Sequence, residues 1–123
     1  MHSDTVRGTI LFAHGSRDPL WRLPIEAVAS HIQKIAPEVQ VRCAYLELNL
    51  PDLPASAAEL AALGVNTITV VPMFLGVGRH AREDLPLLMT ALRQRHPHIE
   101  FELRPAIGEE LQMIELMARI AVS

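Results

Sequence analysis

Aromatic residues are scarce: one Trp, one Tyr and three Phe among 123 residues. Any core must therefore be aliphatic, built from Leu, Ile, Val, Ala and Met. Cysteine is scarcer still. Cys43 stands alone, so no intrachain disulfide and no CxxC zinc site exists. It lies in the apolar run Val41-Arg-Cys-Ala-Tyr-Leu46 and reads as a buried structural thiol. No uninterrupted apolar stretch reaches the roughly 18–20 residues of a membrane helix. The opening Met-His-Ser-Asp-Thr-Val-Arg-Gly also lacks the apolar centre of an export signal. A soluble, cytoplasmic protein with no membrane partner is the expectation. An excess of positive charge is missing too. Eleven Lys and Arg face 14 Asp and Glu, a net charge of -3. That excludes a general nucleic-acid binder, which needs a basic patch. A small anionic ligand held by a few local arginines remains compatible.

Half of the residues are hydrophobic. That suits one small core in a chain of single-domain length, residues 1–123. Strand and helix patterns alternate four times. Thr9–Ala13 is a short apolar run closed by His14-Gly-Ser, which reads as a strand. Asp18, Pro19 and Pro24 mark a helix entry, and Ile25, Val28, Ile32 and Ile35 follow at helical spacing up to Pro37. Val39–Leu48 reads as a second strand. Pro51 and Pro54 frame a short helix carrying Ala57, Leu60 and Ala61, with Gly64 as its C-cap. Thr67–Leu75 is β-branched and apolar on both faces, as a central parallel strand should be. After the loop Gly76-Val-Gly-Arg-His80 comes a helix bearing Leu85, Leu88, Met89 and Leu92. Ile99–Arg104 is the fourth strand. The last helix follows Gly108, with Leu111, Ile114, Met117 and Ile120 expected as its buried stripe. The sum is (βα)4, an α/β fold closing as a four-stranded parallel, doubly wound sheet.

Ligands of open parallel sheets bind beyond the carboxyl ends of the strands, where the strand order reverses. For the order 2-1-3-4 that point lies between strands one and three. His14 and His80 follow those two strands. They also head a weak internal echo, His14-Gly-Ser-Arg17-Asp18-Pro19 and His80-Ala-Arg82-Glu-Asp84-Leu-Pro86. Glu47 stands at the expected end of strand two. Two imidazoles and a carboxylate suit a borderline divalent metal such as Co2+, Ni2+, Fe2+ or Zn2+. The plainer alternative stays open: a histidine at a strand end also serves as a turn former or cap, and Glu47 as a solvated strand end. Arg17, Arg79 and Arg82 share the same loops, where arginines are otherwise ordinary surface residues. His2, His31, His96 and His98 read as solvated. Gly76-Val-Gly78 lacks the spacing of a phosphate loop, and Ser16 lacks a nucleophile elbow.

Four segments then carry a resemblance. They are Ile10-Leu-Phe-Ala-His14-Gly-Ser-Arg-Asp18-Pro, Ala44-Tyr-Leu-Glu47, Val70-Val-Pro-Met-Phe-Leu75 and Gly78-Arg-His80-Ala-Arg-Glu-Asp84-Leu-Pro86. In that order they resemble the small sirohydrochlorin cobaltochelatases of the CbiX type and the related sirohydrochlorin ferrochelatases. The likeness spans nearly the whole chain. It implies a class II chelatase that inserts a divalent metal, cobalt foremost, into sirohydrochlorin or a related tetrapyrrole. His14 and His80 match the family's metal-binding histidines, and Glu47 an acidic position. No tightly bound cofactor is implied, since Co2+, Ni2+ or Fe2+ is substrate. Larger members carry two such units, so a homodimer is implied, with the site at or near a shared cleft.

On this reading His14 and His80 are transient metal ligands, and a histidine or Glu47 accepts a ring proton. Arg17, Arg79 and Arg82 are candidate partners for the substrate's carboxylates. Leu75, Val77 and Phe74 are read either as lining for the ring face or as core, with core favoured for Phe74. Two other functions compete. A non-catalytic tetrapyrrole or metal carrier needs the same ligands. A flavodoxin-like FMN binder wants a Ser/Thr/Gly-rich loop after strand one, where this chain has His-Gly-Ser-Arg-Asp-Pro.

Overall fold

The computed structural model describes residues 5–123, so His2 lies outside the described residues. The strands are β1 (Arg7–Ala13), β2 (Gln40–Tyr45), β3 (Thr67–Pro72) and β4 (Glu100–Leu103). They form one sheet in the order β2-β1-β3-β4. Every neighbouring pair is parallel. The helices are α1 (Leu23–Ile35), α2 (Leu53–Ala62), α3 (Arg79–Arg95) and α4 (Leu111–Ala121). The doubly wound (βα)4 fold expected from the sequence is thus the fold observed. Among the described residues no helix is long and apolar enough to cross a membrane.

Register divides the sheet into two faces. Phe12 lies opposite Ala44 and Pro72, and Ile10 opposite Val70. These side chains join Leu53, Leu60 and Met89 in the main core, under α2 and α3. Leu11 lies opposite Cys43 and Val71 on the other face. There α1 packs on β2, with the Cys43 thiol 4.0 Å from the Ile25 carbonyl oxygen. Met113 of α4 and Val71 line one hollow on that face. The chain moves one way from β1 to β2 and the other way through β3 to β4. Right-handed crossovers must then put their helices on opposite faces.

Local chemistry fixes the helix starts. Asp18 caps a 3-10 turn at Pro19–Arg22, accepting the Leu20 N–H, and α1 continues from it. Asp52 caps α2 by accepting the Ala55 N–H at 2.9 Å. Gly64, with φ +83°, closes the end of α2 in the left-handed conformation that glycine tolerates.

Several boundaries differ from the sequence reading. β2 stops at Tyr45 rather than Leu48, because Leu48 takes a positive φ of 66° that no strand accommodates. Glu47 therefore lies in the loop after the strand. β3 stops at Pro72, and its residues alternate half-buried with buried, so that one face is fully covered and the other only partly. Arg79, His80 and Arg82 belong to the first turn of α3 and not to a loop, since Gly78 is its N-cap. The largest correction concerns α4, where Leu111 is 68% and Ile120 65% exposed. Neither α1 nor α4 holds a single buried residue. The periodic stripe is real, but within one chain little covers it.

Candidate functional site

The carboxyl edge of β1 and β3 gathers the candidate residues. His14 is the first residue after β1 and is exposed. Its imidazole stacks on Phe74, with ring centroids 4.2 Å apart and planes 29° apart. Phe74 is buried, as the sequence reading favoured, and gives the imidazole a fixed apolar floor.

Glu47 reaches the same place through the backbone. The Leu46 N–H donates to the Ala13 carbonyl at 2.8 Å, and the Glu47 N–H to the His14 carbonyl at 3.0 Å. The loop after β2 thus continues the pairing with β1 past the end of the strand. Gly15, which follows these two contacts, has φ +105°, and a Cβ there would collide with the Glu47 carbonyl oxygen. Only glycine permits so close an approach.

His80 comes from the other half of the chain, as the second residue of α3. His14, Glu47 and His80 line one open cleft of about 540 Å³, together with Leu46, Arg79 and Asp84. Two imidazoles 66 residues apart in sequence therefore face the same space. The reason is that β1 and β3 are hydrogen-bonded neighbours. Among the described residues, however, no three His, Cys, Asp or Glu side chains form a ready-made metal cage.

Asp84 was not singled out as a site residue from the sequence. Its signal was the spacing: it follows His80 by four residues, so a helix puts both on one face. The three arginines divide. Arg79 lines the cleft and pairs with Glu83 at 3.2 Å, both side chains being well exposed. Such a pair contributes little and can exchange partners. Arg17 and Arg82 are exposed and are not part of the lining. A second, more apolar hollow of about 410 Å³ adjoins the cleft, sharing Leu46 and Asp84 with it. It extends over Leu53, Leu87 and Leu88. A larger hollow of about 790 Å³ runs along β4. Neither histidine lines it, so the smaller cleft is the candidate.

The remaining histidines sit elsewhere. His31 and His98 are exposed, and His96 is half-buried beside Phe101. Cys43 is half-buried rather than fully enclosed, and burial, reinforced by Glu26, pushes its thiol pKa up. It therefore stays protonated near neutral pH and is a poor ligand there.

The sequence profile of the CbiX family matches residues 8–122. The chain belongs to the CbiX family. The sirohydrochlorin cobaltochelatase of Methanopyrus kandleri is 32% identical over 80 residues, 65% of this chain and 56% of that protein. That of Methanothermobacter thermautotrophicus is 34% identical over 82 residues, 67% of this chain and 57% of that protein. The matched part thus spans little more than half of these relatives. The Saccharolobus solfataricus cobaltochelatase matches more fully, 28% identical across 91% of both chains. In three dimensions, a CbiX protein from Marinobacter aquaeolei VT8 superposes with a TM-score of 0.79 at 32% identity. The match covers 94% of this chain and 91% of that one. SirB from Bacillus subtilis subspecies spizizenii, a sirohydrochlorin chelatase solved with cobalt, shares the fold at 23% identity and TM-score 0.75. This chain matches 50% of its length.

Proposed function

We propose that this CbiX-family chain is a metal chelatase, a single domain over residues 1–123 that inserts Co2+ into sirohydrochlorin. Such insertion belongs to cobalamin or sirohaem biosynthesis, and Ni2+ and Fe2+ are the competing substrates. The observation that carries the reading is the shared cleft of His14, Glu47 and His80.

The reaction exchanges one M2+ for two pyrrole N–H protons. His14 and His80 act as transient ligands. Neutral imidazole binds a borderline divalent ion, and protonation removes that ability. Two imidazoles without a closed cage can surrender the ion to four ring nitrogens. Glu47, in the same cleft, accepts a proton leaving the ring, with a freed histidine as the other acceptor. Arg79 pairs with a substrate carboxylate once it leaves Glu83, and Arg17 and Arg82 extend that role outward. The apolar hollow beside the cleft and exposed Leu75 suit the flat ring face. Holding ion and macrocycle together supplies much of the rate.

Two copies are part of the same proposal. Leu23, Ile35, Leu111, Ile114 and Ile120 are exposed on α1 and α4. A second copy is the occupant that fits, since the SirB chain is about twice as long as the part this chain matches. We also assign the protein to the cytoplasm, where a lone thiol such as Cys43 remains reduced.

The test is an absorbance assay with sirohydrochlorin and Co2+, Ni2+ or Fe2+. The reading expects insertion well above the uncatalysed rate, fastest with Co2+. Metal and tetrapyrrole binding at the uncatalysed rate would make the protein a carrier instead.

A further inference from the structure

We propose that Asn49 is a positioning residue, which clamps the loop carrying Glu47 onto the loop carrying His14. The inference rests on the chelatase reading of that cleft. Among the described residues, neither the His14 imidazole nor the Glu47 carboxylate takes part in a side-chain hydrogen bond or ion pair. Their positions are therefore set by the backbone beneath them, and by Phe74 under the ring.

The two loops are stitched at several points, and Asn49 supplies the only side-chain link found among the described residues. The Ser16 N–H donates to Asn49 Oδ1 at 2.6 Å, across 33 residues of sequence. The Asn49 N–H donates to the Glu47 carbonyl at 2.8 Å. Between them Leu48 takes φ +66°, a conformation that L side chains avoid. Leu48 is also 59% exposed, so packing contributes little to holding it there. What holds the turn is the pair of hydrogen bonds at Asn49, together with the tight seat of the Glu47 carbonyl over Gly15. Asn49 is neutral and half-buried, so it acts through geometry and not through charge. With the clamp in place, Glu47 and His14 face the cleft as a unit. Without it, Leu48 can relax to negative φ and carry Glu47 away, and the backbone on either side of Gly15 that seats the His14 ring loses its hold on the facing loop.

The experiment titrates the full chain with Co2+, read by cobalt absorbance, and then measures insertion into sirohydrochlorin. The variants are Asn49→Ala, Asn49→Ser and Asn49→Asp, each checked by circular dichroism and Tm. Loss of a group that orients a metal ligand costs about 10–100-fold in affinity. Asn49→Ala and Asn49→Ser should therefore bind Co2+ at least about tenfold more weakly and lose kcat/KM in parallel. Asn49→Asp keeps the acceptor oxygen, so it should retain at least about a third of wild-type affinity, given that such bonds depend on the acceptor. Should Asn49→Ala fail to fold, the contrast of Ser with Asp decides. Wild-type Co2+ affinity in the Ala or Ser variant would overturn the clamp, as would an equal loss in Asn49→Asp. The titration needs no tetrapyrrole. Wild-type protein that binds Co2+ but inserts none would defeat the chelatase reading while leaving the clamp to be judged on affinity alone. Wild-type protein that binds no Co2+ would overturn both.

Discussion

The two faces of the sheet are built differently. Under α2 and α3, Leu53, Leu60, Met89 and Leu92 are at most 2% exposed. Under α1 and α4 no helical residue is buried, although both helices carry an apolar stripe. One face is completed within the chain, and on the other the apolar stripes of the helices stay largely exposed. Amphipathic periodicity reports that a helix has an apolar side. It says nothing about whether the same chain supplies the partner.

Paired substitutions sharpen this contrast. Leu60→Ala should lower the free energy of unfolding by about 2–5 kcal/mol, as cavity-forming changes in a closed core do. The loss should not depend on protein concentration. Ile120→Ser should stay within about 0.5 kcal/mol for the isolated chain, as exposed changes do. It should nevertheless shift sedimentation toward the monomer. Denaturation curves and ultracentrifugation of both variants check the pair. A large loss in monomer stability from Ile120→Ser would erase the difference between the faces.

A smaller effect separates the faces by pH. Cys43 and Tyr45 lie on the α1 side, and burial raises the pKa of each. In the unfolded chain the Cys43 thiol ionises near its ordinary value of about 8.5. Above that pH the native state binds more protons than the unfolded state, so stability falls as pH rises and levels off past the native pKa. Cys43→Ala should flatten the first part of that decline in alkaline denaturation curves. An unchanged slope would mean that the thiol is already solvated in the native state.

Much of the architecture was legible because it follows from chain order. Four alternating strand and helix patterns leave few topologies, and in the assumed order 2-1-3-4, which the sheet has, strands one and three flank the reversal point. That is why His14 and His80 could be assigned to one edge. What was not legible depends on loop conformation. Leu46-Glu47-Leu48-Asn49-Leu50 continues the alternation of a strand, so nothing in its pattern revealed the positive φ at Leu48. Asn49 consequently drew no notice, since its role exists only once two loops meet. His80 looked like a loop residue because Gly76 and Gly78 suggested one, yet Gly78 is the helix cap. Asp84 was within reach, because its four-residue spacing from His80 needs only the helix to be read one turn earlier.

In the proposed function the imidazoles of His14 and His80 together deliver one ion to the macrocycle. The most direct measurement is Co2+ insertion into sirohydrochlorin by His14→Ala and His80→Ala, beside circular dichroism of each. Each variant should lose insertion at least about 100-fold, within the range for removing a group that acts in the reaction itself, while keeping wild-type helicity. A folded variant of either histidine that turns over at the wild-type rate would rule out that shared delivery.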